Sequence, residues 1–235
     1  MANEVSGLAR PGREEVSKSN DLQDWQEGSC HVPEAISGRW AYLRPYRDSD
    51  FPYFYAWRTD LREYGLWKSK VAPTEEEYAA ELATLRSRSV VLTVIDRVSS
   101  KPIGLAQAYD FSMEDGWTSC LGYIEPAFRV RGHGAEAGLL FADYLFSSFP
   151  IRKVYADVLE FNGSVLRTLQ GIGFVVEGRR SEHGFFQGKY WDLFHLALTR
   201  TRWNDVRNRR FRNLVTLPFG FEQDGVDDTS WQPRS

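Results

Sequence analysis

The sequence has no run of 18 apolar residues, and its opening stretch, M-A-N-E-V-S-G-L-A-R, lacks the apolar segment of a secretion signal. It contains only two cysteines, Cys30 and Cys120, which are too few for a disulfide framework and suit a reducing compartment. The cysteines and the four histidines show no metal-ligand spacing. These absences predict a cytoplasmic protein with no membrane contact and no metal site.

An excess of charge of either sign is also missing, because 29 Lys and Arg residues are set against 32 Asp and Glu residues, for a net charge of −3. A basic cluster runs from Arg202 to Arg210, but it lacks the interleaved aromatic platform on which nucleic-acid bases stack. Nucleic-acid binding is therefore not expected. What the 235 residues do provide is 42% hydrophobic and 14% aromatic side chains, enough for the core of one domain.

Composition divides the chain into three parts. Residues 1–38 are rich in Glu, Ser, Gly and Asp and show no apolar periodicity, which predicts an irregular N-terminal extension. Residues 39–203 carry the periodic apolar pattern of a compact domain. Residues 204–235 are predicted to be a C-terminal tail, and the basic stretch 201–210 and the acidic stretch 222–228 are both assigned to it.

Within the domain, apolar periodicity and turn residues predict an alternation of strands and helices. A capping box at Thr74–Glu77, in which a threonine hydroxyl and a glutamate bond each other's backbone N–H, predicts a helix to about Ser87. The other predicted elements are a strand over 39–45, a helix within 50–60 with core aromatics, a hairpin of Val90–Asp96 and Pro102–Tyr109, a strand over Thr118–Ile124, a helix from Ala135, a strand over Val154–Leu159, a helix over Ser164–Gly171, and closing strands over Phe174–Glu177 and Tyr190–Leu198. This order is typical of a mixed α/β fold.

The stretch P-A-F-R-V-R-G-H-G-A-E, residues 126–136, lies between a predicted strand and a predicted helix. A helix N-terminus carries a partial positive charge and unbonded amides, glycines let a phosphate approach the backbone closely, and arginines add fixed charge. The stretch therefore has the chemistry of an anion-binding loop. The alternative is an ordinary strand-to-helix turn with solvated arginines, and the spacing alone does not separate the two. The pattern is neither a Walker loop nor G-x-G-x-x-G.

The same stretch resembles the coenzyme A loop of the GNAT N-acetyltransferases, whose signature is Gln/Arg-x-x-Gly-x-Gly/Ala. Arg129, Gly132 and Gly134 stand at its three positions. The resemblance implies a GNAT fold: a mixed, mostly antiparallel central sheet with helices on both faces and splayed central strands that hold acyl-CoA.

Further motifs extend the resemblance over roughly residues 39–203. E-F-N-G-S-V-L-R-T-L-Q-G-I-G-F resembles the second half of the family's cofactor site, with Asn162, Arg167 and Gly173–Phe174 at matching positions. L-R-P-Y-R-D-S-D near the start and the stretch 177–198 near the end resemble one branch of the family, the ribosomal-protein alanine acetyltransferase-like branch.

The resemblance implies a set of cofactor-binding residues. Backbone groups of Ile124 and Glu125 are expected beside the pantetheine arm, Asn162 near the thioester, and Arg167 at a phosphate. His133 is expected to contact either phosphate or solvent. The residues implied at the diphosphate are Arg129, Val130, Arg131, Gly132, His133, Gly134 and Ala135.

Two departures from the family pattern leave the proton-transfer groups open. The serine that often donates a proton to the leaving thiolate is replaced by Val165, and the acidic residue often found in the central strand falls near Cys120. Carboxylates are candidates for the base, acting through water, and hydroxyls for the acid. The candidate base residues are Glu125, Glu160, Asp110, Tyr109 and Asp192, and the candidate acid residues are Tyr109, Ser164 and Tyr190.

The leading functional hypothesis is an acetyl-CoA-dependent N-acetyltransferase in which a primary amine of a small molecule attacks the thioester directly. Acetylation of a protein N-terminus or a lysine is the alternative within enzymes. A non-catalytic acyl-CoA-binding module is the alternative from another class, kept open by Val165 and the missing base. Acetyl-CoA or another acyl-CoA is the expected co-substrate, without a metal, and a homodimer is compatible with each hypothesis.

Overall fold

The computed structural model describes residues 36–60 and 71–210. The predicted N-terminal extension and the acidic stretch 222–228 lie outside these residues and stay predictions. In chain order the elements are β1 (Ile36–Ser37), β2 (Ala41–Pro45), α1 (Phe51–Thr59), α2 (Glu75–Arg88), β3 (Val90–Asp96), β4 (Pro102–Ser112), β5 (Trp117–Ile124), α3 (His133–Ser148), β6 (Lys153–Leu159), α4 (Gly163–Ile172), β7 (Val175–Phe186), β8 (Lys189–Thr199) and α5 (Arg200–Arg210).

The described strands form one eight-stranded sheet in the order β1-β2-β3-β4-β5-β6-β8-β7. Every neighbouring pair is antiparallel except β5 and β6, which run parallel. That parallel pairing covers only three residue pairs, from Trp117–Lys153 to Ser119–Tyr155. Beyond it β5 continues along β4 and β6 continues along β8, so the two strands diverge. The predicted fold, a mostly antiparallel sheet with splayed central strands, is confirmed.

Alternating side chains of the sheet build a core on each face. Leu105 and Tyr123 pack with the aromatic residues of α1 and α2 on one face. On the other face, Ala106 packs in a larger core with Leu140 of α3 and Leu196 of β8. Helices α3, α4 and α5 contribute to this second core, so helices cover both faces, as expected.

Two local signals in the sequence form the predicted contacts. The Thr74 hydroxyl accepts from the backbone N–H of Glu77 at 3.2 Å, and the Glu77 carboxylate accepts from the N–H of Thr74 at 2.8 Å. The predicted hairpin of β3 and β4 is also confirmed.

Several element ends differ from the prediction, and two of these differences have a structural cause. Helix α4 ends at Ile172 and is capped by Gly173, with φ of 116°, rather than ending at Gly171. Strand β7 extends to Phe186 rather than ending at Glu177, because two irregularities in its register with β8 let it bend and continue.

A buried ion pair joins β2 to the start of α1. The Arg44 guanidinium donates to both oxygens of Asp50 at 2.7 Å, and the Thr93 hydroxyl and the Arg47 N–H also donate to this carboxylate. Burial raises the pKa of Asp50, but the hydrogen bonds from Arg44, Arg47 and Thr93 outweigh it and lower the pKa below its ordinary value. The carboxylate is therefore held ionised.

The assignment of residues 201–210 to a tail is wrong, because α5 is a helix docked on the domain. Trp203 is 1% exposed and Val206 is buried in the larger core. Arg207 donates to Asp143 of α3 at 2.7 Å, and Arg200 donates to three main-chain carbonyls in and just after α3. In the sequence, basic residues surround the two apolar positions through which the helix packs, so the stretch does not show an obvious packing face.

A buried carboxylate fixes the N-terminal part of α3 to the first strands. The Glu136 side chain accepts from the N–H groups of Arg39, Trp40 and Ala41 at 2.6, 2.8 and 2.8 Å. A Cβ at Gly38 would lie 2.4 Å from the Glu136 carboxyl carbon, so this turn requires glycine for the close approach. The start of α3 is thereby held against the edge of the sheet.

Candidate functional site

The divergence of β5 and β6 leaves backbone groups of β5 facing a gap. The N–H of Glu125 donates to the carbonyl of Ile103 at 2.8 Å, on the β4 side. Hydrogen-bonded pairs alternate along an antiparallel ladder, so the N–H groups of Gly122 and Ile124 point the opposite way, toward the diverging β6. Of the two backbone partners expected for pantetheine, Ile124 faces the gap, whereas the amide of Glu125 is bonded within the sheet.

Cys120 lies on β5 where the gap begins, one residue beyond the last pair with β6. Burial raises the pKa of its thiol to about 12. At neutral pH the thiolate is scarcely populated, and thiolate is the nucleophilic form. Cys120 is therefore not equipped to carry an acyl group covalently.

The chain turns from β5 into α3 through a 3₁₀ helix over Pro126–Arg131 and the left-handed residue Gly132, with φ of 86°. The first amides of α3, at His133, Gly134 and Ala135, precede the first helical hydrogen bond, from Glu136 to Gly132. A Cβ at Gly134 would point at the Ile124 side chain, 3.5 Å from its Cγ1. The glycine thus leaves space between the helix N-terminus and the end of β5.

The two arginines of the loop have different positions. Arg129 folds back on the strand end: its Nε donates to the carbonyl of Ile124 at 2.7 Å, and its guanidinium carbon lies 5.4 Å from the centre of the Tyr123 ring. Arg131 is exposed. Arg129 therefore braces the loop against β5, with its guanidinium at the mouth of the gap.

His133 is the first residue of α3, and its side chain does not face solvent, which was one of the two expectations for it. The residue is 6% exposed, and Nε2 of its ring lies 3.1 Å from Oδ1 of Asp96. Burial raises the pKa of Asp96, but hydrogen bonds from Ser99 and His133 outweigh it and lower the pKa. This pair ties the helix N-terminus to the β3–β4 turn, so only the backbone of His133 is placed to bind an anion.

A second helix N-terminus begins beside the gap. β5 and β6 run parallel, so α3 and α4, which follow them, both start at the edge where the strands diverge. Asn162 is the N-cap residue of α4, and its Oδ1 lies 3.4 Å from the Ser164 hydroxyl. Arg167 is exposed, with its NH1 3.5 Å from the position of a Cβ on Gly163. The sequence-predicted Asn162 and Arg167 are thus brought to the same edge as the loop.

The candidate acids and bases are scattered. Tyr190 is 62% exposed and makes an edge-to-face contact with Phe185, far along the β7–β8 hairpin. Glu160 is exposed just after β6, Asp110 is exposed within β4, and Ser164 is exposed on α4.

The contacts or positions of three further residues from the proton-transfer analysis are also defined. The Asp192 carboxylate accepts from the Glu182 N–H at 2.8 Å and from Arg179, which lowers its pKa, so it braces the irregular part of β7. Val165 packs against the core. Tyr109 pairs with Ser119 at the last row before the gap and is the candidate hydroxyl nearest to it along the sheet.

Sequence reasoning missed a histidine–carboxylate pair on β6 and β8. His195 Nδ1 lies 2.6 Å from Oδ1 of Asp157, and the His195 ring stacks on Tyr155 at 4.9 Å. The two residues are 38 positions apart in the sequence and meet only because β6 pairs with β8. The sequence signal for this pair is only the alternation of apolar and polar residues along both strands. That alternation places Asp157 and His195 on the side of the sheet that faces away from the larger core.

Over residues 36–60 and 71–210, no cluster of His, Cys, Asp and Glu side chains is arranged to hold a metal ion. None of the helices in this part of the chain combines the length and the apolar character needed to cross a bilayer.

The family model for the acetyltransferase (GNAT) domain matches residues 41–175, which is more than half of the 235-residue chain. The chain belongs to the GNAT acetyltransferase family. The divergent strands and the glycine loop described above lie inside the matched segment.

Comparisons with individual proteins agree with this assignment. The uncharacterized N-acetyltransferase YokL of Bacillus subtilis, derived from the SPbeta prophage, is 27% identical over 99 residues, which cover 42% of this chain and about half, 55%, of that protein. Among solved structures, a spermidine N-acetyltransferase from Vibrio cholerae in complex with CoA and spermine superposes with a TM-score of 0.65 at 17% identity, covering 70% of this chain and 98% of the other. A GCN5-related N-acetyltransferase from Brucella melitensis gives 0.60 at 22% identity, covering 75% and 84%. At these identities the structural likeness concerns the fold.

Proposed function

We propose that the protein is an acetyl-CoA-dependent N-acetyltransferase that acts on a primary amine of a small molecule. One observation carries the proposal: β5 and β6 diverge at the edge where α3 and α4 begin, so a gap lined by strand amides opens beside two helix N-termini. An extended chain with an anionic end suits this arrangement, because strand amides pair with an extended ligand and helix N-termini attract its phosphates.

Each part of the cofactor would have a defined place. The amides of residues 130–135 would hold the diphosphate, with Arg131 nearby as an exposed cation. The backbone of Gly122 and Ile124 would pair with the pantetheine arm, and the Ile124 N–H would polarise the thioester carbonyl. Asn162 would bond the pantetheine from the other side of the gap, and Arg167 would reach a phosphate. Acetyl-CoA supplies an acetyl group activated as a thioester.

Direct attack by the amine fits these residues better than an acyl-enzyme. Cys120, the cysteine that the described residues place at the gap, is held protonated by burial. Val165 offers no proton to the leaving thiolate. General acid help is typically worth about 10²–10⁴-fold, so solvent as the donor implies slow turnover unless Tyr109 donates.

One comparison favours a small-molecule acceptor. The acetyltransferase from Vibrio cholerae with a similar fold is a spermidine N-acetyltransferase, which acts on a small amine. The alternative is acetylation of a protein N-terminus, favoured by the resemblance of the stretches around 43–50 and 177–198 to the ribosomal-protein alanine acetyltransferase-like branch. A small polyamine and a peptide with a free N-terminus are therefore the two acceptors to compare first.

The test is a screen of amines and N-terminal peptides with acetyl-CoA and longer acyl-CoAs, followed by mass spectrometry and by release of the CoA thiol. Acetylation of small amines supports the proposal, and preferential acetylation of peptides replaces it with the alternative. CoA binding by isothermal titration without transfer to any amine would instead indicate a non-catalytic acyl-CoA-binding module.

A further inference from the structure

One side of the sheet is covered unevenly by helices in the described part of the chain. On the side of Leu105 and Tyr123, α1 and α2 pack over the strands up to β5. Alternation along β5 and β6 places Tyr155 and Asp157 on this same side, and Asp157 pairs with His195 of β8. The even-numbered residues of β6 lie in the core on the opposite side, under α3 and α4.

The histidine–carboxylate pair lies at the margin of the gap. Ser119–Tyr155 is the last pair that joins β5 to β6, and Asp157 is the next residue of β6 on this side, where β5 has already diverged. The side chains of His195 and Asp157 are 38% and 41% exposed, so a molecule in solvent can reach them. Since α3 and α4 occupy the opposite side, an amine approaching a thioester in the gap has to come from the side of this pair.

The ring of His195 is oriented by two contacts. Its Nδ1 lies 2.6 Å from Oδ1 of Asp157, so the Asp157 carboxylate accepts a hydrogen bond from Nδ1–H, which leaves the lone pair on Nε2. The Tyr155 ring stacks on it at 4.9 Å with an interplanar angle of 27°. A base held in one tautomer and one plane by a carboxylate is a recurring arrangement for removing a proton.

We infer that His195, positioned by Asp157, is the base that deprotonates the acceptor ammonium, an inference that rests on the proposed function. The ammonium gives one proton to Nε2 of His195, and the resulting imidazolium is stabilised by the Asp157 carboxylate. The neutral amine attacks the thioester carbon, the C–N bond forms, and the C–S bond breaks. The second amine proton is released to solvent and the departing sulfur takes up a proton from solvent or Tyr109, so the products are the acetamide and the CoA thiol, and His195 returns its proton to solvent.

Other charged groups flank the pair on the same side. Lys153 of β6 bonds Glu177 of β7 at 2.8 Å, and its ammonium lies 5.0 Å from the centre of the Tyr155 ring. Arg180 of β7 pairs with Leu193 of β8, the neighbour of His195 on that side of the strand. Because Glu177 is paired with Lys153, Asp157 is the carboxylate on this side that is positioned to orient His195.

The test uses the full chain with the best amine found in the screen. His195→Gln is expected to lower kcat at pH 7 by about 10²–10³-fold, within the range of general base catalysis. Asp157→Asn is expected to lower it by at least about tenfold, because the imidazolium loses its counter-charge. Glu177→Gln is the matched control, since it also removes a paired carboxylate from this side of the sheet, and its kcat is expected to stay unchanged.

The pH profile separates a base from a packing residue. An amine acceptor with a pKa near 10.4 deprotonates by itself at high pH, so the deficit of His195→Gln should shrink to less than about tenfold near pH 10. The CoA affinity of both variants, measured by isothermal titration, should equal that of the parent, which also shows that they fold.

Three results would overturn the inference. One is a kcat of His195→Gln close to that of the parent at every pH. Another is a loss in His195→Gln that does not vary with pH, alongside a fully active Asp157→Asn, which would indicate packing. If the parent protein binds CoA but acetylates no amine, the proposed function itself fails, and the assignment of the base falls with it.

Discussion

The contact between Gly38 and Glu136 offers a quantitative test of the fold at the base of the glycine loop. The Glu136 carboxylate accepts three backbone N–H bonds, and one of the donors, at Ala41, is buried. A buried donor that loses its partner costs about 1–3 kcal/mol. Water can replace the bonds to the donors of the two exposed residues, Arg39 and Trp40, whose loss costs about 0.5–1.5 kcal/mol each, so Glu136→Ala should lower the free energy of unfolding by about 2–6 kcal/mol in total.

Substituting the facing glycine perturbs the same contact from the other side. A Cβ at Gly38 would lie 2.4 Å from the carboxyl carbon of Glu136 and 2.6 and 2.8 Å from its oxygens. Gly38→Ala alone should therefore cost about 1–3 kcal/mol, the usual penalty for overpacking. In the Glu136→Ala background the clashing atoms are gone, and the same substitution should cost nearly nothing.

The assay is urea unfolding of the parent, both single variants and the double variant. The free energies should be non-additive by about 1–3 kcal/mol, with the double variant more stable than the sum of the singles predicts. Equal costs of Gly38→Ala in both backgrounds would show that the two residues do not touch, and the argument that Glu136 fixes the start of α3 would fail.

Four further outcomes are expected. Gly134→Val should weaken CoA binding, measured by isothermal titration, more than Arg129→Ala, whose loss of one charged hydrogen bond costs about 1.5–3 kcal/mol; a folded valine variant that binds normally would contradict the loop assignment. Asn162→Ala should raise KM for acetyl-CoA or lower kcat without changing Tm, and unchanged kinetics would leave it a structural cap. Asp50→Asn should destabilise the protein at pH 7, but the difference from the parent should shrink as the pH falls below about 4, because the folded-state pKa of Asp50 lies below the unfolded value; a difference constant from pH 7 to pH 3 in urea unfolding would refute this. Trp203→Ala should cost about 3–5 kcal/mol in unfolding free energy, as for other large core truncations, and a loss below about 1 kcal/mol would show that α5 is not docked.

Elements governed by residues close in the sequence were predictable. The capping box of α2 needs only Thr74 and Glu77, three positions apart, and both bonds form as expected. The strand-loop-helix unit around Gly132 was likewise predictable, because a left-handed turn and a helix start are local requirements.

Features that depend on distant partners were not predictable from local pattern. The role of His133 is set by Asp96, which lies 37 positions away, and that contact buries a ring that the loop alone would expose. The His195–Asp157 pair arises only from the register of two strands. The helical stretch 200–210 is mostly polar, so its two buried positions, Trp203 and Val206, are too few to reveal the packing face before α3 is in place.

The short parallel junction between β5 and β6 has a mechanical consequence. It divides the sheet into two antiparallel blocks, β1–β5 from residues 36–124 and β6–β8 from residues 153–199, joined within the sheet by three residue pairs. A ligand that bonds β5 on one side and Asn162 on the other would bridge the two blocks. By thermodynamic linkage such a bridge raises stability by RT ln(1 + [L]/Kd), or about 2.7 kcal/mol at a hundredfold excess over Kd. Under the proposed function, bound acyl-CoA would therefore link the two blocks and stabilise the sheet reversibly. The exchange of the backbone amide hydrogens of Gly122 and Ile124 would then slow when CoA is bound.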